Sequence, residues 1–150
     1  MVTLVTHNFP KDNKDSSGIF IKNLWDLLGV DYEVMGHENF KSKSLPGYLY
    51  EIRRRLRTKK NLIVAYWIFP AGLLAYLSGR PYILNCVGLD IFMMRDSKIL
   101  KWIAKPILGR ARELVFIGRH PMAVFEGVYG DKYRSKSHLI HLPVDSGRFN

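Results

Sequence analysis

Two short stretches carry residue types that can meet a ligand. The first runs from His7-Asn8-Phe9-Pro10 to Asp15-Ser16-Ser17-Gly18. A glycine there lets a ligand approach the backbone. If a helix begins behind it, free N–H groups at the helix amino terminus can meet a phosphate or sugar hydroxyls. The loop lacks the GxGxxG spacing, so it does not read as a dinucleotide site; a plain strand-to-helix turn with a serine cap is the competing account. The second stretch is Gly88-Leu89-Asp90. A carboxylate held at a strand end can orient sugar hydroxyls or move a proton, which makes Asp90 the candidate catalytic residue. An aspartate capping the next turn explains the same pattern.

Other chemistry is poorly supported. His7, His37, His120, His138 and His141 show no metal-ligand spacing, and no metal site is expected. His138 and His141 bracket a short strand and should face solvent or a domain seam. Cys86 is the sole cysteine, so no internal disulfide or thiolate cluster can form, which fits a reducing compartment. Its apolar neighbours mark it as a core residue before a nucleophile.

Positioning such loops requires strands and helices in alternation, and the chain supplies them. Strands are predicted at Val2–Thr6, Tyr32–Met35, Leu62–Tyr66, Pro81–Leu84, Glu113–Ile117 and His138–Leu142. Between them, Ser16 or Ser17 should cap a helix that carries Ile19, Phe20, Leu24, Leu27 and Leu28 on one side and ends at Gly29. Leu45, Leu49, Ile52 and Leu56 recur at helical spacing after a polar loop over 36–46. Ala71–Leu77 should form a helix with Pro70 in its first turn. Further helices are expected from about Ser97 to Ala111, kinked at Pro106, and from His120 to Val128. Such alternation predicts an α/β fold: one Rossmann-like, three-layer domain over 1–150 with a mostly parallel sheet. Ligands in such sheets bind at the carboxyl ends of the strands, which selects the loops after Thr6, Ala65, Asn85 and Ile117.

Composition is that of a globular chain of 150 residues, 47% hydrophobic and 24% charged. The formal charge is +10, and eight of the 23 basic residues fall between Lys41 and Lys60. Such a field attracts nucleic acid, anionic lipid or phosphorylated ligands. No interleaved aromatic and basic surface supports nucleic acid, which ranks last. Two helices suit an anionic membrane surface: one carries Arg53, Arg54, Arg55 and Arg57, the other Lys98, Lys101, Trp102 and Lys105 beside Ile99, Ile103 and Ile107. A solvated helix face over an ordinary core is the competing reading of both. Residues 61–79 carry no charge, but Pro70 and Gly72 interrupt the run. It spans 16 apolar-rich positions from Leu62 to Leu77 where a membrane span needs about 20, so a buried strand plus a helix is the better reading. The first residues, MVTLVTH, lack a basic region and do not read as a signal peptide. The expected location is cytoplasmic, with peripheral attachment to the inner face of a membrane through the two basic helices.

The order of these motifs resembles the amino-terminal domain of GT-B glycosyltransferases, specifically the retaining family 4. Its carriers span nearly the whole chain: the opening strand with His7-Asn8-Phe9-Pro10, Ser17-Gly18, Tyr66-Trp67-Ile68-Phe69-Pro70-Ala71-Gly72, Arg80-Pro81, Gly88-Leu89-Asp90, and Pro143-Val144-Asp145 with Phe149. The resemblance implies an acceptor-binding domain, with acceptors that are often lipid-linked. His7, Asn8, Ser17, Gly18, Gly88 and Asp90 would line the sugar site, and Pro143, Asp145 and Phe149 would mark an interdomain hinge. A nucleotide-sugar donor would bind a separate carboxyl-terminal domain, so no cofactor is expected in this chain, and retaining transfer to a hydroxyl would occur between the two domains without metal. Three departures stand out. Ser17 replaces the first of a glycine pair, Val87 stands where a histidine commonly contacts the transferred sugar, and the carboxyl domain is not in the sequence, so activity would need a partner. A non-catalytic basic module for anionic membranes is the alternative from a different class.

Overall fold

The computed structural model describes residues 1–10, 18–36 and 44–141. Among these residues six strands form one sheet: β1 (Val2–Val5), β2 (Tyr32–Met35), β3 (Leu62–Tyr66), β4 (Tyr82–Cys86), β5 (Glu113–Phe116) and β6 (Ser137–Leu139). Their order is β2-β1-β3-β4-β5-β6, and every neighbouring pair is parallel. The registers run Leu4 beside Val34 and Val64, Val64 beside Ile83, and Leu84 beside Leu114. The near-continuous apolar runs of β1 and β3 are what strands covered on both faces require. The Rossmann-like α/β class predicted from alternation is therefore the observed one.

Among the described residues six α-helices connect the strands: α1 (Ile19–Leu28), α2 (Leu45–Thr58), α3 (Leu73–Ser78), α4 (Leu89–Asp96), α5 (Lys98–Arg110) and α6 (Arg119–Tyr129). Their ends follow local chemistry. Ser44 caps α2 by accepting from the Gly47 amide at 3.3 Å, with Pro46 in the first turn; Ser97 caps α5 through Leu100 N at 3.3 Å. Gly29 closes α1 in the left-handed conformation, its N–H bonded to Asp26 O. Lys136 Nζ donates to the carbonyls of Leu108, Gly109 and Ala111 at 2.7, 3.0 and 2.7 Å, holding the carboxyl end of α5.

The two faces of the sheet are covered unequally. Ile21 of α1 packs with Val2, Leu4, Val64 and Tyr66, beside Phe20 and Trp25 of the same helix. All other helices send their core residues to the opposite face: Ile52 and Leu56 of α2, Leu74 of α3, Ile91 and Met94 of α4, Ala104, Ile107 and Leu108 of α5, and Phe125 of α6, against Ile63, Ala65, Leu84, Cys86 and Phe116. The cause is topological. Right-handed crossovers place a helix on one face when the chain moves one way along the sheet and on the other when it moves back. Only the β1-to-β2 step runs opposite to the rest.

Several expectations need correction. α1 is rolled so that Ile21 and Trp25 meet the sheet, with Trp25 Nε1 donating to Tyr66 Oη at 2.8 Å; Leu27 and Leu28 are exposed instead of lying on the core side. The helix expected at Pro70 begins only at Leu73. Residues Ile68–Gly72 form a kinked turn whose Phe69 is extended (φ −127°, ψ 137°), because a proline ring crowds the residue before it out of helical space. The whole of α4 was not foreseen, nor the short helical turn Gly130–Lys136 that delivers Tyr133 to the core. β4 extends to Cys86 and β5 stops at Phe116. Ser16 and Ser17, proposed caps of α1, lie outside the described residues, as does Leu142 at the end of the last expected strand; the residue at the α1 cap position is Gly18.

Candidate functional site

Strand order reverses between β1 and β3, because the chain leaves β1 for β2 on one side and later returns to β3 on the other. At such a point adjacent loops diverge and open a crevice beyond the carboxyl ends of the strands. Since all strands are parallel, the loops after β1, β3 and β4 share that edge. Gly18 and Gly88-Asp90 therefore belong to one rim, which is the placement the sequence motifs require.

The loop after β1 is folded by its own residues. Thr6 Oγ1 accepts from Asn8 N and donates to Asn8 O, both at 3.1 Å. Gly18 then packs against that loop. A Cβ built on Gly18 would lie 2.1 Å from Asn8 O, and its φ is +64°. Both facts demand glycine, so Gly18 is what lets the start of α1 abut Asn8 and Phe9. His7 turns outward from the loop, and its ring meets the indole of Trp67 at 4.8 Å between centroids. Partial burial lowers the His7 pKa below its ordinary value, favouring the neutral imidazole at pH 7.

Trp67 occupies the centre of this rim, and sequence reasoning assigned it no role. It sits directly after β3 with φ 72° and ψ 146°, a conformation that side chains strongly disfavour. The backbone imposes it. Trp67 N donates to Asn85 O at 2.9 Å, and Trp67 O accepts from Gly72 N at 3.0 Å, tying the turn to β4 and to the start of α3. Phe20 meets the indole edge-on at 6.3 Å. Nothing in the sequence signals a positive φ at a tryptophan; only its place between a buried strand and Pro70 hinted at a special turn.

Asp90 is turned inward. Its Oδ2 accepts from Ile68 N at 2.8 Å and its Oδ1 from Gly88 N at 3.1 Å, and the residue is only 5% exposed. Burial raises its pKa, and the backbone hydrogen bonds pull the other way. The carboxylate thus joins the turn after β3 to the turn after β4. Asp90 does not cap α4, whose cap position is Gly88 without a side-chain cap; from the first turn its carboxylate bonds back to Gly88 and across to Ile68, which ties the two turns of the rim together. Gly88, with φ 136°, supplies the backbone conformation that aims its amide at Asp90. Cys86 is fully buried, and burial with the neighbouring Asp90 pushes its thiol well up, so it is inert packing.

The basic residues lie elsewhere. Arg53, Arg54, Arg55 and Arg57 are exposed on α2; Arg55 pairs with Glu51 at 2.9 Å, and the other three with Tyr50 border a shallow depression of about 300 Å³. Lys98, Trp102 and Lys105 are exposed on α5, with Lys101 half-buried. His138 bonds Glu113 at 2.8 Å across β5 and β6 and is exposed, as is His141. Ser17, Pro143, Asp145 and Phe149 lie outside the described residues. Among the described residues no group of three acidic, histidine or cysteine side chains could hold a metal, and no helix is long and apolar enough to cross a membrane.

Fold and rim together define a Rossmann-like parallel α/β domain in which the turns carrying Gly18, Trp67 and Gly88 share the edge at its topological switch point. Compared with known proteins, the chain matches no protein-family model and no curated sequence.

Proposed function

We propose that this chain is the acceptor-side domain of a retaining glycosyltransferase, completed by a carboxyl-terminal domain or subunit that binds the nucleotide-sugar. The observation that carries the reading is the rim itself. His7, Asn8, Gly18, Trp67 and Gly88 gather at the switch point, where a parallel sheet opens a crevice for ligands. The order of motifs along the chain agrees with that assignment. The paired rings of His7 and Trp67 suit the apolar face of a sugar, and the polar groups of the β1 loop suit its hydroxyls. In this reading Asp90 does not move protons; it holds the two turns between which the sugar sits. The test is to combine the chain with carboxyl-terminal domains encoded beside it and to follow transfer from a labelled nucleotide-sugar. Transfer that falls when Trp67 is replaced by alanine supports the reading, and absence of transfer with every such partner overturns it.

One observation favours a second reading, a non-catalytic basic module. Asp90, the carboxylate the sequence offers for proton transfer, has both oxygens occupied by backbone amides. Peripheral attachment to an anionic membrane fits either reading, since acceptors of this kind are often lipid-linked.

A further inference from the structure

The unforeseen helix α4 changes what the basic helix α5 can do. Leu89 and Met93 stand one turn apart on α4 and are 69% and 54% exposed; Ile99 and Trp102 stand three residues apart on α5 and are 71% and 72% exposed. The two helices pack on one another and are separated only by Ser97. Leu89 with Met93, and Ile99 with Trp102, each sit three or four residues apart and so share a face of their own helix, leaving an exposed apolar pair on each.

Charge says what covers them. Arg95, Lys98 and Lys101 are interleaved with these four side chains, and Lys105 follows Trp102 on α5. Of the two carboxylates in the same stretch, Asp90 is buried, and Asp96 is bonded by Arg95 at 2.9 Å. Beside Trp102, an apolar depression of about 320 Å³ runs between α5 and α3, bordered by Leu73, Tyr76, Ile103 and Pro106, and α3 contributes no charged residue. Exposed aliphatic and indole side chains ringed by cations are the two components of an interfacial helix: apolar atoms enter the headgroup boundary while the cations stay with anionic headgroups. The arginines of α2 lack the first component. Tyr50 is the one exposed large hydrophobic among that helix's described side chains.

We infer that the α4–α5 pair is a membrane-docking surface for anionic lipid bilayers, with Ile99 and Trp102 inserting and Lys98, Lys101 and Lys105 holding the headgroups. It stands apart from the sugar site and needs no catalytic partner. α4 begins at Gly88 on the rim, whereas the three lysines that hold headgroups stand on α5, beyond the far end of α4.

The test uses the whole chain with vesicles of phosphatidylcholine, alone or mixed with phosphatidylglycerol. Binding requires the anionic lipid and weakens steeply with salt, since the Debye length falls from about 10 Å at 0.1 M to about 3 Å at 1 M. The double substitution Ile99→Ser with Trp102→Ser lowers affinity at least about tenfold while leaving the melting temperature near the parent's, since both side chains are exposed. Acyl chains carrying bromine quench tryptophan emission in the parent, and Trp102→Phe abolishes the quenching. The triple variant Arg53→Gln, Arg54→Gln and Arg57→Gln retains it. Equal binding to neutral vesicles, quenching that persists in Trp102→Phe, or affinity untouched by the double substitution overturns the inference. So does concentration-dependent self-association, lost in the double variant, without any vesicle binding, which would make this face a protein interface.

Discussion

Replacing Asp90 by alanine deletes both acceptors that hold the amides of Ile68 and Gly88. Each donor is then left buried without a partner, at about 1–3 kcal/mol apiece. Part of that loss is offset, because the carboxylate is itself desolvated and its raised pKa shows that burial outweighs its hydrogen bonds. A net destabilisation of about 2–4 kcal/mol remains. Against the roughly 5–15 kcal/mol that holds a domain together, this is a large fraction. Asparagine keeps one acceptor but turns an amide donor towards the second N–H, so it should lose about 1–3 kcal/mol. Chemical denaturation followed by far-ultraviolet circular dichroism reads both values directly. The order parent, asparagine, alanine is expected, with hydrogen exchange at Ile68 and Gly88 accelerated ahead of the rest. If alanine lies within about half a kcal/mol of the parent, as a surface substitution would, Asp90 is not the tie between the two turns. A folded, fully stable asparagine variant with impaired ligand handling would instead restore the catalytic assignment.

Three further outcomes follow from particular residues. Gly18→Ala should destabilise far more than Gly29→Ala. Both carry positive φ, worth about 1–2 kcal/mol to an alanine, but only Gly18 also meets backbone, at 2.1 Å, while Gly29 has open space; equal melting temperatures for the two would refute the close approach. At Trp67, both small variants lose the ring, yet Trp67→Gly should be more stable than Trp67→Ala, since only glycine relaxes at φ 72°, ψ 146°. That reverses the usual advantage of alanine, and denaturant midpoints in the usual order would count against backbone strain. Glu33 supplies a pH test. Burial pushes its carboxyl up, but hydrogen bonds from Lys59, Thr3 and Asn61 outweigh this, and the folded pKa lies below the ordinary 4.5. Its contribution is therefore complete above that value and is lost as pH falls through the lower, folded one. Glu33→Gln should flatten the acid limb of a stability-against-pH profile; an unchanged limb would mean that the Lys59 and Asn61 contacts do not hold in solution.

Much of this protein is written in local sequence because local physics decides it. A short apolar run such as Leu62–Tyr66, followed by Pro70 and Gly72, favours a buried strand over a longer helix. Ser97 and Gly29 mark the ends of α5 and α1 because a side-chain acceptor and a left-handed residue are what those ends need. Strand and helix alternation in turn restricts the chain to a parallel sheet, and so places the Gly18 and Gly88 turns on one edge. Tertiary structure decided what no spacing could. α4 escaped notice because Leu89, Ile91, Phe92, Met93 and Met94 follow no single helical stripe: packing buries Ile91 and Met94 and leaves Leu89 and Met93 to solvent. The direction of Asp90 depends on an amide 22 residues earlier, and the strained turn at Trp67 on a carbonyl of the neighbouring strand. Contacts between residues far apart in sequence form only once the sheet has set its order, which is why they had to be seen in three dimensions.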